Sequence, residues 1–399
     1  MGIVLQASVG AFVVLFVLAG CVTPPAPVAA TSPSTPAPSA PVAAETITPP
    51  APSTSPQPPL GAALKRGVNL GDALDAPSEG DWGVVLQPSD FVAAKRAGFD
   101  HVRLPARFSA HAAAAPPFSI DAAFFARVDW AIDEALSQGL AIVVDVHHYA
   151  DLMDQPEQQH ARFVGLWSQI AERERSRPRG VVFELCNEPN GKITADEWNA
   201  IMADALAVVR TTNPTRAVVL EGLGWASAKA LRDSLRVPAG DPNLVGSFHM
   251  YQPILFTHQG ASFMPEEFDT RGIVFPGPPA QPLEAGPGAR RHAWAADWVK
   301  RYNEEPAATN PSSPARVIDE LDVAHSFAER TRLPVYMGEF GVIENADPKS
   351  RAAWTRLVRT EAERRGFGWA YWDDGGAFKI YDRKSGEYDP RMRAALMEP

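Results

Sequence analysis

From residue 66 onward the chain alternates between two patterns of hydrophobic and polar positions. Short, nearly continuous apolar runs occupy 66–70, 100–104, 141–147, 181–186, 217–221, 244–249, 334–338 and 368–372. Runs such as AIVVDV and VVFEL lack the in-out alternation of a half-exposed sheet and fit strands covered on both faces. Between most of them apolar residues recur every three or four positions. Phe124, Phe125, Val128, Ala131, Ile132, Ala135 and Leu136 mark one face of a helix ending near Gly139. Thr194 and Glu197 have the spacing of a capping box. Asp347-Pro348 places an N-cap and an N1 proline ahead of another helix. Eight strands alternating with helices predict a (β/α)8 barrel. An open doubly wound sheet would carry a glycine-rich phosphate turn after its first strand, and none follows residue 70.

The domain so predicted runs over 63–399 as one unit. The sixth and seventh runs start 90 residues apart, and the excess is a Pro/Gly-rich insertion over 264–316. Its periodicity predicts one helix over 289–302, with Trp294 and Trp298 on the packing face. Loops of this length commonly form functional rims.

The first 62 residues have a different texture. Residues 2–20 are apolar and end in Leu-Ala-Gly before Cys21, which resembles a bacterial lipobox, although no Lys or Arg precedes the apolar run. The resemblance implies a signal peptide over 1–20, lipidation of Cys21 and export. Val22 after the cysteine implies outer-membrane sorting. Residues 21–62 are Pro, Ala, Ser and Thr with almost nothing else, and predict a disordered, semi-rigid spacer. Glu45 is the only charged side chain among the first 60 residues, so nearly all of the formal charge of -10 lies on the barrel. That acidity argues against a nucleic-acid partner. Cys21 and Cys186 are the only cysteines, too few for a disulfide scaffold, and Cys186 reads as a buried free thiol.

Barrels of this kind build their sites at the C-terminal ends of the strands. Reading only those ends returns Arg103, His147, His148, Asn187, Glu188, Trp225, His249, Tyr251, Glu339 and Trp372. Glu188 and Glu339 end the fourth and seventh strands, which face each other across the mouth. Paired carboxylates in such a cleft suit glycoside hydrolysis, and a separation of about 5–5.5 Å would specify retention. Arg103 and Tyr251 are placed to supply the cation and hydrogen bond that an ionised nucleophile needs. Glu184 lies inside a strand and reads as a barrel-interior polar group. No metal is expected, because adjacent strand residues such as His147 and His148 point to opposite faces.

The segments RGVNLGDALDAPSEGDWGVV, AGFDHVRLPARFSAH, VVDVHHY, FELCNEPNG, SFHMYQPILFTHQGA, VYMGEFG and GWAYWDDGGAFKIYD together resemble glycoside hydrolase family 5, in a branch of bacterial endoglucanases and mannanases. The resemblance implies Glu188 as acid/base and Glu339 as nucleophile. It implies that Arg103, Asn187, His147, His249 and Tyr251 form the supporting set, Trp372 the floor under the cleaved sugar, and His148 and Trp225 neighbouring subsites. Asp72 and Asp75 stand where the branch has Asn and Glu contacting the sugar, and are expected to bind substrate. Met250 and Phe263 replace aromatics, and Asp373 replaces Glu. The implied activity is a cofactor-free retaining endo-β-1,4-glucanase, acting on β-linked polysaccharide as a membrane-tethered monomer. A β-mannanase or another β-glucan hydrolase is the alternative on the same site, and a carbohydrate-binding envelope lipoprotein is the alternative that is not an enzyme.

Overall fold

Eight parallel strands close on one another in chain order: β1 (Arg66–Asn69), β2 (His101–Leu104), β3 (Ala141–Asp145), β4 (Val181–Glu184), β5 (Val218–Glu221), β6 (Leu244–Met250), β7 (Val335–Phe340) and β8 (Gly368–Tyr371), with β8 returning to β1. This computed structural model describes residues 64–399. The expected signal peptide, Cys21 and the spacer over 21–62 lie outside the described residues.

The helices are α1 (Pro88–Ala97), α2 (Ala122–Ser137), α3 (Ala150–Asp154), α4 (Pro156–Arg173), α5 (Ala195–Thr212), α6 (Ala228–Asp233), α7 (Ile254–Thr257), α8 (Ala293–Glu304), α9 (Pro314–Thr331), α10 (Pro348–Arg364) and α11 (Pro390–Met397). A two-stranded ribbon, β9 (Tyr381–Asp382) and β10 (Glu387–Tyr388), precedes α11. The caps operate as the sequence predicts. Thr194 accepts from the Glu197 amide while the Glu197 carboxylate accepts from the Thr194 amide at 2.7 Å. Asp347 caps α10 through the Ser350 amide at 2.8 Å.

Strand alternation explains why one end of the barrel is apolar and the other polar. Val143, Val182, Val219 and Val245 face inward and pack together low in the barrel. Two residues further along the same strands stand Asp145, Glu184, Glu221 and Ser247, all buried. The period of two that stacks the valines therefore also stacks a polar layer directly above them. The outer faces of the strands carry Val102, Ile142, Val144 and Phe183 into the main core beneath the helices.

In the insertion the helix begins later than expected. Asp269 accepts from the Gly288 and Ala289 amides at 2.6 and 3.0 Å, which fixes a separate 3-10 turn over Ala289–Arg291 before α8 starts at Ala293. Ala295, Val299 and Tyr302 form the buried face of α8. Trp298 is half-buried and stacks on Tyr302, but Trp294 is exposed and meets Phe268 edge-on, which corrects its expected place on the packing face.

Candidate active site

Arg103 lies at the centre of the polar layer, fully buried near the tip of β2. Its Nε and Nη2 donate to the two oxygens of Glu184 at 2.7 and 2.9 Å. Its Nη1 donates to Asn69 Oδ1 at 2.9 Å and to Glu339 Oε1 at 2.8 Å. Its Nη2 also donates to Asn187 Oδ1 at 2.7 Å and lies 2.7 Å from Asp145 Oδ2. A guanidinium has a rigid fork of five donors, so these partners fix its position and orient Glu339 through it.

Glu339 is nearly buried, and Tyr251 donates to its Oε2 at 2.8 Å. Burial and the neighbouring Glu339 charge push the Tyr251 hydroxyl well above its usual range, so it remains a donor. A bulge sets the direction of Glu339. Phe248 pairs with Met337 but His249 pairs with Glu339, so the β6–β7 register skips Gly338. A Cβ on Gly338 would stand 3.0 Å from Ser247 Oγ and 3.2 Å from His249 Nε2, which is why glycine occupies the bulge.

Glu188 comes just beyond β4, at the left-handed φ of 47°. That conformation is costly for a glutamate and needs support from its surroundings. The Glu221 carboxylate accepts from its amide at 2.6 Å, and Asn190 Nδ2 donates to its carbonyl at 2.7 Å. Burial raises the Glu188 carboxyl above the ordinary range, with His249 opposing. His249 Nδ1 is 2.8 Å from Glu188 Oε1 and 3.5 Å from Glu339 Oε2, and its Nε2 is 3.0 Å from Glu221 Oε1. Burial works against the imidazolium, but Glu339 and Glu221 hold its pKa well above the usual value. Facing carboxylate oxygens of Glu188 and Glu339 lie within 4.8 Å.

Three further carboxylates complete the layer. Burial pushes Glu184 up to about 8 despite Arg103. Glu221 is held down to about 2, where burial is outweighed by His249. Asp145 binds His147 Nδ1 at 2.9 Å and keeps that imidazole oriented. Trp372 is half-buried and lies parallel to His147, with centroids 5.8 Å apart.

All ten residues read from the strand ends stand at or just beyond the C-terminal ends of the barrel strands, but two expectations change. His147 and His148 do not diverge. β3 stops at Asp145, and His148 adopts φ 51°, which turns its ring perpendicular to His147 at 4.3 Å. Asp75 is fully buried, and its oxygens accept from the Asp72 and Ala73 amides at 3.2 and 2.8 Å, so it shapes the loop rather than facing a sugar. Asp72 is half-buried and follows Gly71, where a Cβ would stand 3.1 Å from the Trp372 indole. Met250 and Asp373 are buried, and Trp225 and Phe263 are 63% and 59% exposed. The strand-end reading passed over Glu221, although its place as the last residue of β5 was a usable signal. Asn69 at the end of β1 is a second such residue.

Among the described residues, three groups of side chains bring possible ligand atoms together: Asp75, His147 and His148; Glu184, Glu221 and His249; and Glu188, His249 and Glu339. In the last two, His249 Nδ1 lies 2.8 Å from Glu188 and Nε2 lies 3.0 Å from Glu221, so a cation there would have to displace the imidazole from a carboxylate.

A closed (β/α)8 barrel with a glutamate pair across its C-terminal mouth is the framework of a glycoside hydrolase. The family profile described as cellulase (glycosyl hydrolase family 5) matches residues 74–377. The chain belongs to glycoside hydrolase family 5. It is 31% identical over 339 residues to Endoglucanase H of Acetivibrio thermocellus, an alignment covering 84% of this chain and 33% of that protein. The chain thus spans about a third of that relative's length. Thermotoga maritima Cel5A in complex with cellobiose superimposes with a TM-score of 0.74 at 35% identity, covering 85% of this chain and all of that one. The same enzyme in complex with mannotriose gives 0.72 at 35% identity, over 84% and 98% of the two chains.

Proposed function

We propose that this chain is an endo-acting β-1,4-glucanase working by double displacement with retention of configuration. Glu339 attacks the anomeric carbon while Glu188 protonates the departing oxygen. Glu188 then takes a proton from the water that releases the glycosyl-enzyme. The observation that carries this reading is that one oxygen of Glu188 and one of Glu339 lie within 4.8 Å of each other. An inverting pair stands about 6.5–9.5 Å apart to admit a water. The environments of the two groups also divide the roles. Glu188 is biased towards holding a proton, and Glu339 faces the Arg103 cation and the Tyr251 hydroxyl. Trp225 and Phe263, on the loops after β5 and β6, are exposed aromatic side chains that suit contact with a sugar polymer.

A β-mannan is the second substrate class, favoured by the likeness to a Cel5A that binds mannotriose as well as cellobiose. Assay on barley glucan, carboxymethylcellulose and galactomannan ranks the two. Viscosity should fall faster than reducing ends appear. Proton NMR of the first product should show the β-anomer, and the α-anomer would overturn the mechanism. Binding to these polymers with no cleavage of any would return the chain to a binding role.

The N-terminal signature supports a second proposal, an exported lipoprotein that acts as a monomer on a Pro-rich tether. Cys21→Ser should move the enzyme from the membrane fraction to the soluble one; equal partition of both forms would sink the anchor. Light scattering of the soluble form checks its oligomeric state.

A further inference from the structure

Neighbouring residues of a strand point to opposite faces, so His147 and His148 can share an ion only where the strand stops short of them. β3 ends at Asp145. His148 takes the left-handed φ of 51°, and the two rings stand perpendicular with centroids 4.3 Å apart. Asp75, from the loop after β1, joins them. One oxygen of its carboxylate and one nitrogen of each imidazole lie within 4.8 Å of one another.

Each of the three is prepared to act as a ligand. Asp145 takes up His147 Nδ1 at 2.9 Å, which orients the ring and leaves Nε2 as its ligand atom. A carboxylate in that position commonly backs a metal-bound histidine. Asp75 Oδ1 accepts from the Ala73 amide at 2.8 Å and Oδ2 from the Asp72 amide at 3.2 Å, and each oxygen keeps a second lone pair. Asp75 and His147 are buried and held by these bonds, whereas His148 is exposed and opens the group to solvent. Zinc takes nitrogen and oxygen ligands at about 2.0–2.2 Å, so in a tetrahedron they stand about 3.3–3.5 Å apart. The exposed His148 ring is the member that turns to close the group.

The surrounding charge also favours a dication. Asp72, Asp75 and Asp145 all act on His147, and Arg103 beside them is already matched by Glu184 and Glu339. Arg107, which lines a notch beside His148, is the opposing charge. Two imidazoles with one carboxylate suit zinc, whereas magnesium and calcium take oxygen ligands.

We propose that Asp75, His147 and His148 form a binding site for Zn2+, with water in the fourth position, and that filling it inhibits the enzyme. An ion on these nitrogens occupies the atoms that a sugar hydroxyl would otherwise meet. It also stands near Trp372, whose indole lies parallel to His147 at 5.8 Å. The inhibition rests on the glycanase reading above; the ion site does not.

Titration calorimetry of the full chain with zinc chloride should find one site. His148→Ala and Asp75→Asn should each weaken it by at least about tenfold, the loss found even for groups that merely support a metal ligand. No binding by the parent, or equal binding by the parent and both variants, overturns the site. Cobalt(II) chloride, a coloured stand-in, should give the parent a visible absorption that His148→Ala loses; the pale spectrum of the hydrated ion with both proteins overturns it as well. Zinc should slow hydrolysis of cello-oligosaccharides by the parent. The concentration for half inhibition should rise about tenfold in His148→Ala, with each rate taken relative to the same protein without metal. Binding without inhibition overturns the inhibitory role. A parent that cuts no oligosaccharide defeats the glycanase reading, and the calorimetry still decides the ion site.

Discussion

His249 Nδ1 lies 2.8 Å from Glu188 Oε1, so a histidine that Glu339 and Glu221 keep cationic against the effect of burial sits directly against the candidate acid. Burial raises the Glu188 carboxyl and the His249 charge pulls it down. Removing that charge with His249→Gln should therefore raise Glu188 further. Activity requires the protonated acid, so the alkaline limb of the kcat/KM profile should move to higher pH while the maximum falls. A pH–rate comparison of the two proteins decides it, and a limb moving to lower pH would contradict the arrangement.

Glu188→Gln removes the proton donor but keeps the shape of the site. Turnover of unactivated cello-oligosaccharides should fall by about 10²–10⁴. Aryl glycosides with acidic leaving groups need little protonation and should lose far less in glycosylation. Equal losses on both substrates would remove Glu188 from the acid role.

Glu184 couples the site to stability. An unfolded glutamate titrates near 4.5, whereas folded Glu184 is raised to about 8 by burial. Between those values the folded state holds the extra proton. This group's contribution therefore makes stability fall as pH rises, by about 1.4 kcal/mol per pH unit. Glu184→Gln should remove that slope. Urea unfolding at intervals from about pH 5 to pH 8 checks this, and identical slopes in parent and variant would show that Glu184 is ionised in the folded state.

Gly338→Ala places a methyl 3.0 Å from Ser247 Oγ and 3.2 Å from His249 Nε2. Both neighbours are buried and would have to shift, at a cost of about 1–3 kcal/mol. Since His249 bridges Glu221 and Glu188, kcat should fall together with the denaturation midpoint. A variant with parental kcat would show that the bulge tolerates a side chain.

What could be read from the chain was local. Apolar runs, helix periodicity and caps such as Thr194 and Asp347 depend on residues close in sequence, and they placed eight strands and the helices α2, α5 and α10. The barrel rule then turned strand ends into site residues, so Arg103, Glu188, His249 and Glu339 were all found that way. The insertion helix began late because Asp269 captured amides nearly twenty residues away, an interaction that periodicity does not encode.

By itself the sequence determined the barrel, the end of it that carries chemistry and the two glutamates. The tertiary structure decided how those groups are tuned. Arg103 meets Glu184 and Glu339 across 81 and 236 residues, Glu221 supports Glu188 from the next strand, and His148 turns back beside His147 only because β3 has ended. Asp72 and Asp75 are the same residue type three positions apart, yet one is half-buried and the other is fully buried with its oxygens taken up by loop amides. The physical reason is the same in each case. Residue type and spacing specify which chemistry is available, but protonation, orientation and exposure depend on partners that meet only when the eight strands close.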